Sequence, residues 1–268
     1  MTGHSTRRAA TTLVALLLSS CAATGTAVPT SPPSLEVTPL ADVRFDALNP
    51  ARGDASPLAG TLFGDRAGSA ATGFLFRPVD GFSSPPHIHN VSYRAIVIRG
   101  GVYNGPPDAE RVWMPPGSYW TQPLGAVHIT AAREAPILAY VEIDEGPYLV
   151  RPPDQAFASE ERPVNLLPAD LPWEQRAGFR VASLWGDAAG RGGQLLELPA
   201  NGGAIAQSSE DFRVVVIAGL PTLPGGDAGL EPGSYLHARG AALELRCGAE
   251  ACTVYVRHDG AVDVRTGG

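Results

Sequence analysis

An all-β chain built from two copies of one unit is the fold class this sequence predicts, and three observations carry that reading. Short β-branched and aromatic runs such as RAIVIRG, PILAYVEI, FRVVVIAG and CTVYVRH are punctuated by turn residues drawn from 31 glycines and 25 prolines, the pattern of a sandwich or barrel. No long stretch places apolar residues at helical spacing. The chain also repeats itself. Leu62-Phe63-Gly64-Asp65 returns as Leu184-Trp185-Gly186-Asp187, and Pro78-Val79-Asp80-Gly81 as Pro199-Ala200-Asn201-Gly202. The run RAIVIRG at 94–100 returns as RVVVIAG at 213–219, and Pro116-Gly117-Ser118-Tyr119 as Pro232-Gly233-Ser234-Tyr235. Matches in one order along both halves mark two copies of one β unit.

From the N-terminus, residues 1–20 predict a secretory signal peptide: Arg7 and Arg8 precede an apolar run at 13–18 that is too short to span a bilayer. The run ends in LSSC, which resembles the lipobox of bacterial lipoproteins. That resemblance makes residues 1–20 a lipoprotein signal peptide and Cys21 the lipidated first residue of an exported chain anchored in the cell-envelope membrane. With Ala22 after the cysteine, it implies the outer membrane in a Gram-negative host. Residues 21–41, small, polar and dotted with proline, predict a flexible tether. A first lobe follows over 42–150, a polar linker over 151–164, and a second lobe over 165–268.

Composition narrows the chemistry. With 44% hydrophobic and 18% charged residues, the chain can bury a core. All 20 basic residues are arginine, so Schiff-base catalysis, a pyridoxal phosphate anchor and a Walker-type phosphate lysine are excluded. A net charge of -7 argues against nucleic acid as a partner.

The first lobe carries SSPPHIHNVSYRAIVIRGG. Along a strand, residues i and i+2 share a face, so His87 and His89 project together into whatever the barrel encloses. His128, arriving from another strand after the Pro116-Gly117 turn, supplies a third imidazole. Three imidazoles with open coordination positions can hold one divalent metal and capture a ligand, and imidazole suits zinc, iron, nickel and copper alike.

Gly81, five residues, His87-x-His89, three residues, Tyr93, six residues, Gly100 is similar to the first motif of the cupin family, with Tyr93 where cupins usually carry glutamate. Pro115-Pro116-Gly117 followed by His128 resembles the second motif, although the histidine lies further from the glycine than is common. The chain resembles bacterial bicupins related to the cupin lobe of the ChrR anti-sigma factor and to acetylacetone-cleaving dioxygenase. The resemblance covers about 42–268. It implies two tandem jelly-roll barrels, one divalent metal per chain (zinc, iron or manganese) on His87, His89 and His128, and a small-molecule ligand or substrate. For reaction type it implies dioxygenase-like cleavage of a diketone-type compound. The other reading is a non-enzymatic lipoprotein that binds a metal-held small ligand, or a sensor. The oligomeric state stays open, a dimer included.

The second lobe serves as an internal control. Depending on a two-residue ambiguity, the positions of His87 and His89 become Ala206 and Ser208, or Ser208 and Glu210, and His128 falls at Leu243 or Glu244. No histidine is among them, so this lobe is expected to be a metal-free structural partner. His237 and His258 match no ligand position and are expected in surface or turn positions. Arg94, kept as Arg213, and Tyr119, kept as Tyr235, are expected to serve the fold. Tyr93 becomes Phe212, so its hydroxyl disappears together with the histidines and is a candidate for hydrogen bonding to a ligand or metal-bound water. Cys247 and Cys252 flank a short turn and, after export, are expected to form a disulfide.

Overall fold

The computed structural model describes residues 1–2, 32–226 and 228–267. Cys21 and nearly all of the signal segment lie outside the described residues. The first half contains β1 (Ser34–Thr38), β2 (Phe45–Ala47), β3 (Leu58–Phe63), β4 (Thr72–Arg77), β5 (Ile88–His89), β6 (Tyr93–Gly105), β7 (Tyr119–Gln122), β8 (Ile129–Ile143) and β9 (Val150–Arg151). The second contains β10 (Val164–Leu166), β11 (Trp173–Arg176), β12 (Phe179–Gly186), β13 (Gly192–Leu198) and β14 (Gly203–Ser208). It continues with β15 (Phe212–Ala218), β16 (Tyr235–Arg239), β17 (Leu243–Arg246), β18 (Cys252–His258) and β19 (Val262–Thr266).

Two seven-stranded antiparallel sheets dominate, in the orders β10-β7-β6-β8-β4-β3-β2 and β1-β16-β15-β18-β13-β12-β11. Strand by strand these are the same sheet, as the repeat predicts, and the architecture is a pair of jelly-roll barrels. The repeated Pro-Gly-Ser-Tyr segments build the same turn twice. Gly117 and Gly233 sit at φ +86° and +101°, a region that favours glycine. Each donates its N–H at 2.8 Å to the matching carbonyl, Val97 or Val216.

The near-continuous apolar runs arise because both faces of the central strands are buried. On β6, Tyr93, Ala95 and Val97 fill the first barrel, while Ile96 and Ile98 pack with Val215, Ile217, Tyr235 and Tyr255 of the other lobe. On β15, Phe212, Val214 and Val216 fill the second barrel in the same way.

The lobe boundaries depart from expectation at three points. Residues 34–38, placed in the tether by sequence, form β1 and pair with β16 of the second lobe, Ser34 opposite Arg239. Arg151, placed in the linker, pairs with Ile88 beside the histidines. Val164, also placed in the linker, opens β10, which pairs with β7 of the first lobe. Each half thus lends its first strand to the other's sheet. These strands are short, exposed and at sheet edges, so they lack the one-sided apolar pattern that reveals a strand in sequence.

His237 also differs from expectation. It lies within β16, is 7% exposed, and its Nε2 is 3.1 Å from Asp211 Oδ2. His258 ends β18 half-buried, its Nδ1–H donating to the Gly260 carbonyl at 2.6 Å. Arg94 and Arg213 make matching ion pairs with Asp144 and Asp259, both at 2.7 Å. Cys247 and Cys252 form a disulfide, Cα–Cα 5.8 Å, at the corner where the chain leaves β17 in a three-stranded sheet for β18 in the large one.

Candidate metal centre

The chain bends at Pro86 and enters His87, which pairs with His128 through reciprocal backbone hydrogen bonds of 3.0 Å. His89 follows on β5, where β9 covers it, His89 opposite Val150. The ring centroids of His87, His89 and His128 are 5.0, 4.3 and 5.2 Å apart pairwise, and one nitrogen from each lies within 4.8 Å of the others.

Their hydrogen bonds fix which nitrogen faces the centre. Nδ1 of His87 is 2.9 Å from the Pro85 carbonyl, Nδ1 of His89 3.0 Å from that of Leu149, and Nδ1 of His128 3.2 Å from that of Ala126. A carbonyl only accepts, so each Nδ1 carries the proton and each Nε2 keeps a lone pair. Burial lowers all three pKa values. His89 falls well below the ordinary value, with the other two imidazoles adding to the effect, and His128 is lowered to about 3. The rings are therefore neutral ligands at neutral pH. His128 Nε2 is buried with no hydrogen-bond partner, the mark of a group whose partner is a bound ion. These residues fit a divalent metal, which the three Nε2 atoms would hold with coordination positions left for a ligand.

The register of the second lobe resolves the ambiguity in the repeat. Ala206 pairs with Leu243 on β14 and β17, as His87 pairs with His128. The counterparts are Ala206, Ser208 and Leu243, buried small or apolar residues that pack where the first lobe has imidazole.

Tyr93 stands beside the centre, its ring centroid 5.3 Å from that of His89, but its hydroxyl donates to Asn104 Oδ1 at 2.8 Å. Thr130 donates to the same oxygen at 2.9 Å, and Asn104 Nδ2 donates to Gln122 at 2.8 Å. Gln122 in turn donates at 3.1 Å to the Ala126 carbonyl that also orients His128. Burial pushes the Tyr93 phenol up to about 12, so it stays protonated.

Sequence reasoning missed Tyr148. Its hydroxyl lies 3.2 Å from His89 Nε2, and its ring stacks on that imidazole with centroids 4.4 Å apart. It arrives 59 residues after His89 with no spacing that signals the pairing. Asn90 latches it in place, donating to the Pro147 carbonyl and accepting from Leu149 N, both at 2.9 Å. The centre opens into a cavity of about 150 Å³ with apolar walls that include Phe76, Phe82 and Val150.

Solved structures share this architecture at low identity. A candidate dioxygenase from Nostoc punctiforme PCC 73102 aligns with TM-score 0.60 and 15% identity over 87% of this chain and 84% of its own. Quercetin 2,3-dioxygenase from Acinetobacter baumannii gives 0.54 and 14%, covering 84% and 79%. Hazelnut (Corylus avellana) vicilin gives 0.55 and 10%, covering 85% and 87%. No curated protein matches the chain. The fold is that of the cupins, and the chain belongs to the family described as Domain of unknown function (DUF4437), whose model matches residues 36–265.

Proposed function

We propose that this cupin is a metal-dependent enzyme of the cell envelope that acts on a small molecule, dioxygenase-like, with a diketone-type substrate. The observation that supports it is the cluster of three neutral imidazoles, two of which, His87 and His89, line a small apolar-walled cavity, an arrangement that leaves coordination positions free for a ligand. A bound divalent ion supplies Lewis acidity there and, as iron, access to O₂ chemistry. The chain's own part is to orient and to exclude water. Three carbonyls hold the imidazoles, Tyr148 reaches the Nε2 side of His89 with a hydroxyl that can donate to a ligand oxygen, and Phe76 and Phe82 give the cavity apolar walls. The exported, lipid-anchored location rests on the Cys21 segment alone.

A second reading is a non-enzymatic binder or sensor. It draws support from the lining of the cavity, which among the described residues contains no carboxylate to act as a base, and from Tyr93, whose hydroxyl is committed to Asn104. Metal analysis of the purified protein, followed by O₂ uptake with acetylacetone after iron is restored, separates them. Iron-dependent O₂ consumption supports the enzyme. Tightly held zinc with no turnover on restored iron supports the binder.

A further inference from the structure

The connection from β2 to β3 spans residues 48–57, whereas its counterpart from β11 to β12 is only residues 177–178. Both join adjacent antiparallel strands of equivalent sheets, Ala47 opposite Leu58 and Arg176 opposite Phe179. A two-residue turn suffices for that job, so the longer loop answers to something else, and it occurs only in the lobe that carries the three histidines. It is an ordered loop. Leu48 N–H donates to the Pro57 carbonyl at 2.8 Å, Asn49 N–H to Ser56 Oγ at 2.9 Å, and Asn49 Oδ1 accepts from Ala51 N–H at 3.2 Å.

This loop forms one wall of the cavity at the metal centre, contributing Leu48, Asn49, Arg52 and Pro57. Among the described residues, Arg52 is the one charged side chain in the lining. Its guanidinium carbon lies 5.8 Å from the Phe82 ring centroid, and among the described residues it makes no ion pair. A guanidinium beside a metal site built from neutral ligands, with no lining carboxylate, leaves the cavity with uncompensated positive charge. An anion is the ligand that balances it, and the planar fork matches a carboxylate or enolate. Volume sets the size, because a cavity of roughly 150 Å³ accepts a molecule about as large as benzene.

We propose that the 48–57 loop is a recognition element that selects small organic anions, a carboxylate or enolate with a short apolar body. The anionic oxygen is taken by Arg52, and the body lies against Phe76 and Phe82. This assignment rests on the reading that the same cavity is the ligand site of the metal centre.

The test uses the zinc-loaded protein and the isosteric pair isobutyrate and isobutyramide, titrated calorimetrically. Arg52→Ala should weaken isobutyrate about 10–100-fold, the loss expected for a charge-assisted hydrogen bond, and leave isobutyramide unchanged. Arg52→Lys should recover part of the loss. Because the guanidinium acts independently of the ion, the same loss should appear in metal-free protein. Metal content and melting temperature of each variant report whether the site and fold survive. If Arg52→Ala retains metal and binds isobutyrate like wild type, or loses both ligands equally, the inference is overturned. If wild type holds no metal but still shows the Arg52-dependent preference, the metal reading fails and the loop assignment stands.

Discussion

Glu142 and Arg257 occupy the same position in the two repeats and meet each other between the lobes. Glu142 lies opposite Arg94 in its sheet, and Arg257 opposite Arg213 in the matching one. Both are 1% exposed, and Arg257 Nη1 is 3.3 Å from Glu142 Oε1. Tyr140 and Tyr255, also equivalent, donate to the two oxygens of Glu142 at 2.8 and 2.7 Å. Two copies of the first lobe would bring together two glutamates here, and two copies of the second would bring together two arginines.

Removing the Glu142 charge leaves the buried Arg257 with Asp144, at 2.8 Å, as its remaining partner. Glu142→Gln should therefore destabilise the chain by about 1–3 kcal/mol, whereas Glu142→Leu combined with Arg257→Met should cost less than the sum of the single changes. Urea denaturation of Glu142→Gln, of the double variant and of its two single variants decides this. Strict additivity would mean that the two side chains do not act as a pair.

Each of His87→Ala, His89→Ala and His128→Ala should weaken metal binding by more than the roughly 10–100-fold that follows loss of an outer-shell partner. His237→Ala and His258→Ala should leave about one metal per chain, since neither contributes a nitrogen to the cluster. Elemental analysis after dialysis is the readout, and two metals per wild-type chain would show that the second lobe has a site of its own.

The two tyrosines should separate. Tyr93→Phe removes a donor to Asn104 and should cost about 1 kcal/mol of stability with metal retained. Tyr148→Phe should leave stability and metal nearly unchanged and weaken anionic ligands about 2–10-fold, the worth of one hydrogen bond. Thermal melts and ligand titrations of both variants test the division. The reverse pattern would return the ligand-facing role to Tyr93.

Acid should destabilise the metal-free protein through the same imidazoles. Burial holds their folded pKa values below the ordinary value, while in the unfolded chain they take up protons near 6.5. The unfolded state therefore binds more protons below about pH 6.5, so stability is full above that value and falls as the pH drops through it towards the folded values. Melting temperatures between about pH 7 and about pH 5 should decline in wild type. The decline should be shallower in His128→Leu, which installs the residue of the second lobe. Equal slopes would mean that other groups control the acid response.

Cys21→Ser should abolish incorporation of labelled fatty acid and release the protein from membranes. Retention of both properties in the variant would refute the lipidated anchor.

Much of this was legible because duplication turns one sequence into a comparison. The shared Pro-Gly-Ser-Tyr turns and RAIVIRG-type strands report the fold, and His87, His89 and His128 stand out because Ala206, Ser208 and Leu243 replace them. Other features lack a local signal. Tyr148 reaches His89 through a two-residue strand pairing of β5 and β9, too short to leave a periodic trace. His237 is buried by neighbouring charge, with Asp211 and Glu36 on either ring nitrogen, rather than by an apolar pattern. β1 read as tether because three of its five residues face solvent.

The loan of β1 to the far sheet also sets an order of events. As the chain is made, β10 can join the first lobe soon after that lobe appears, but the first strand has no partner until Tyr235–Arg239 follows near the end. Closing contacts so distant in sequence is slow, and meanwhile two strand edges wait unpaired, each able to join a strand from another molecule. Charge favours the proper ending: Glu36 on the waiting strand meets Arg239 at 3.3 Å once β16 arrives. β1 is thus a strand made early and paired late.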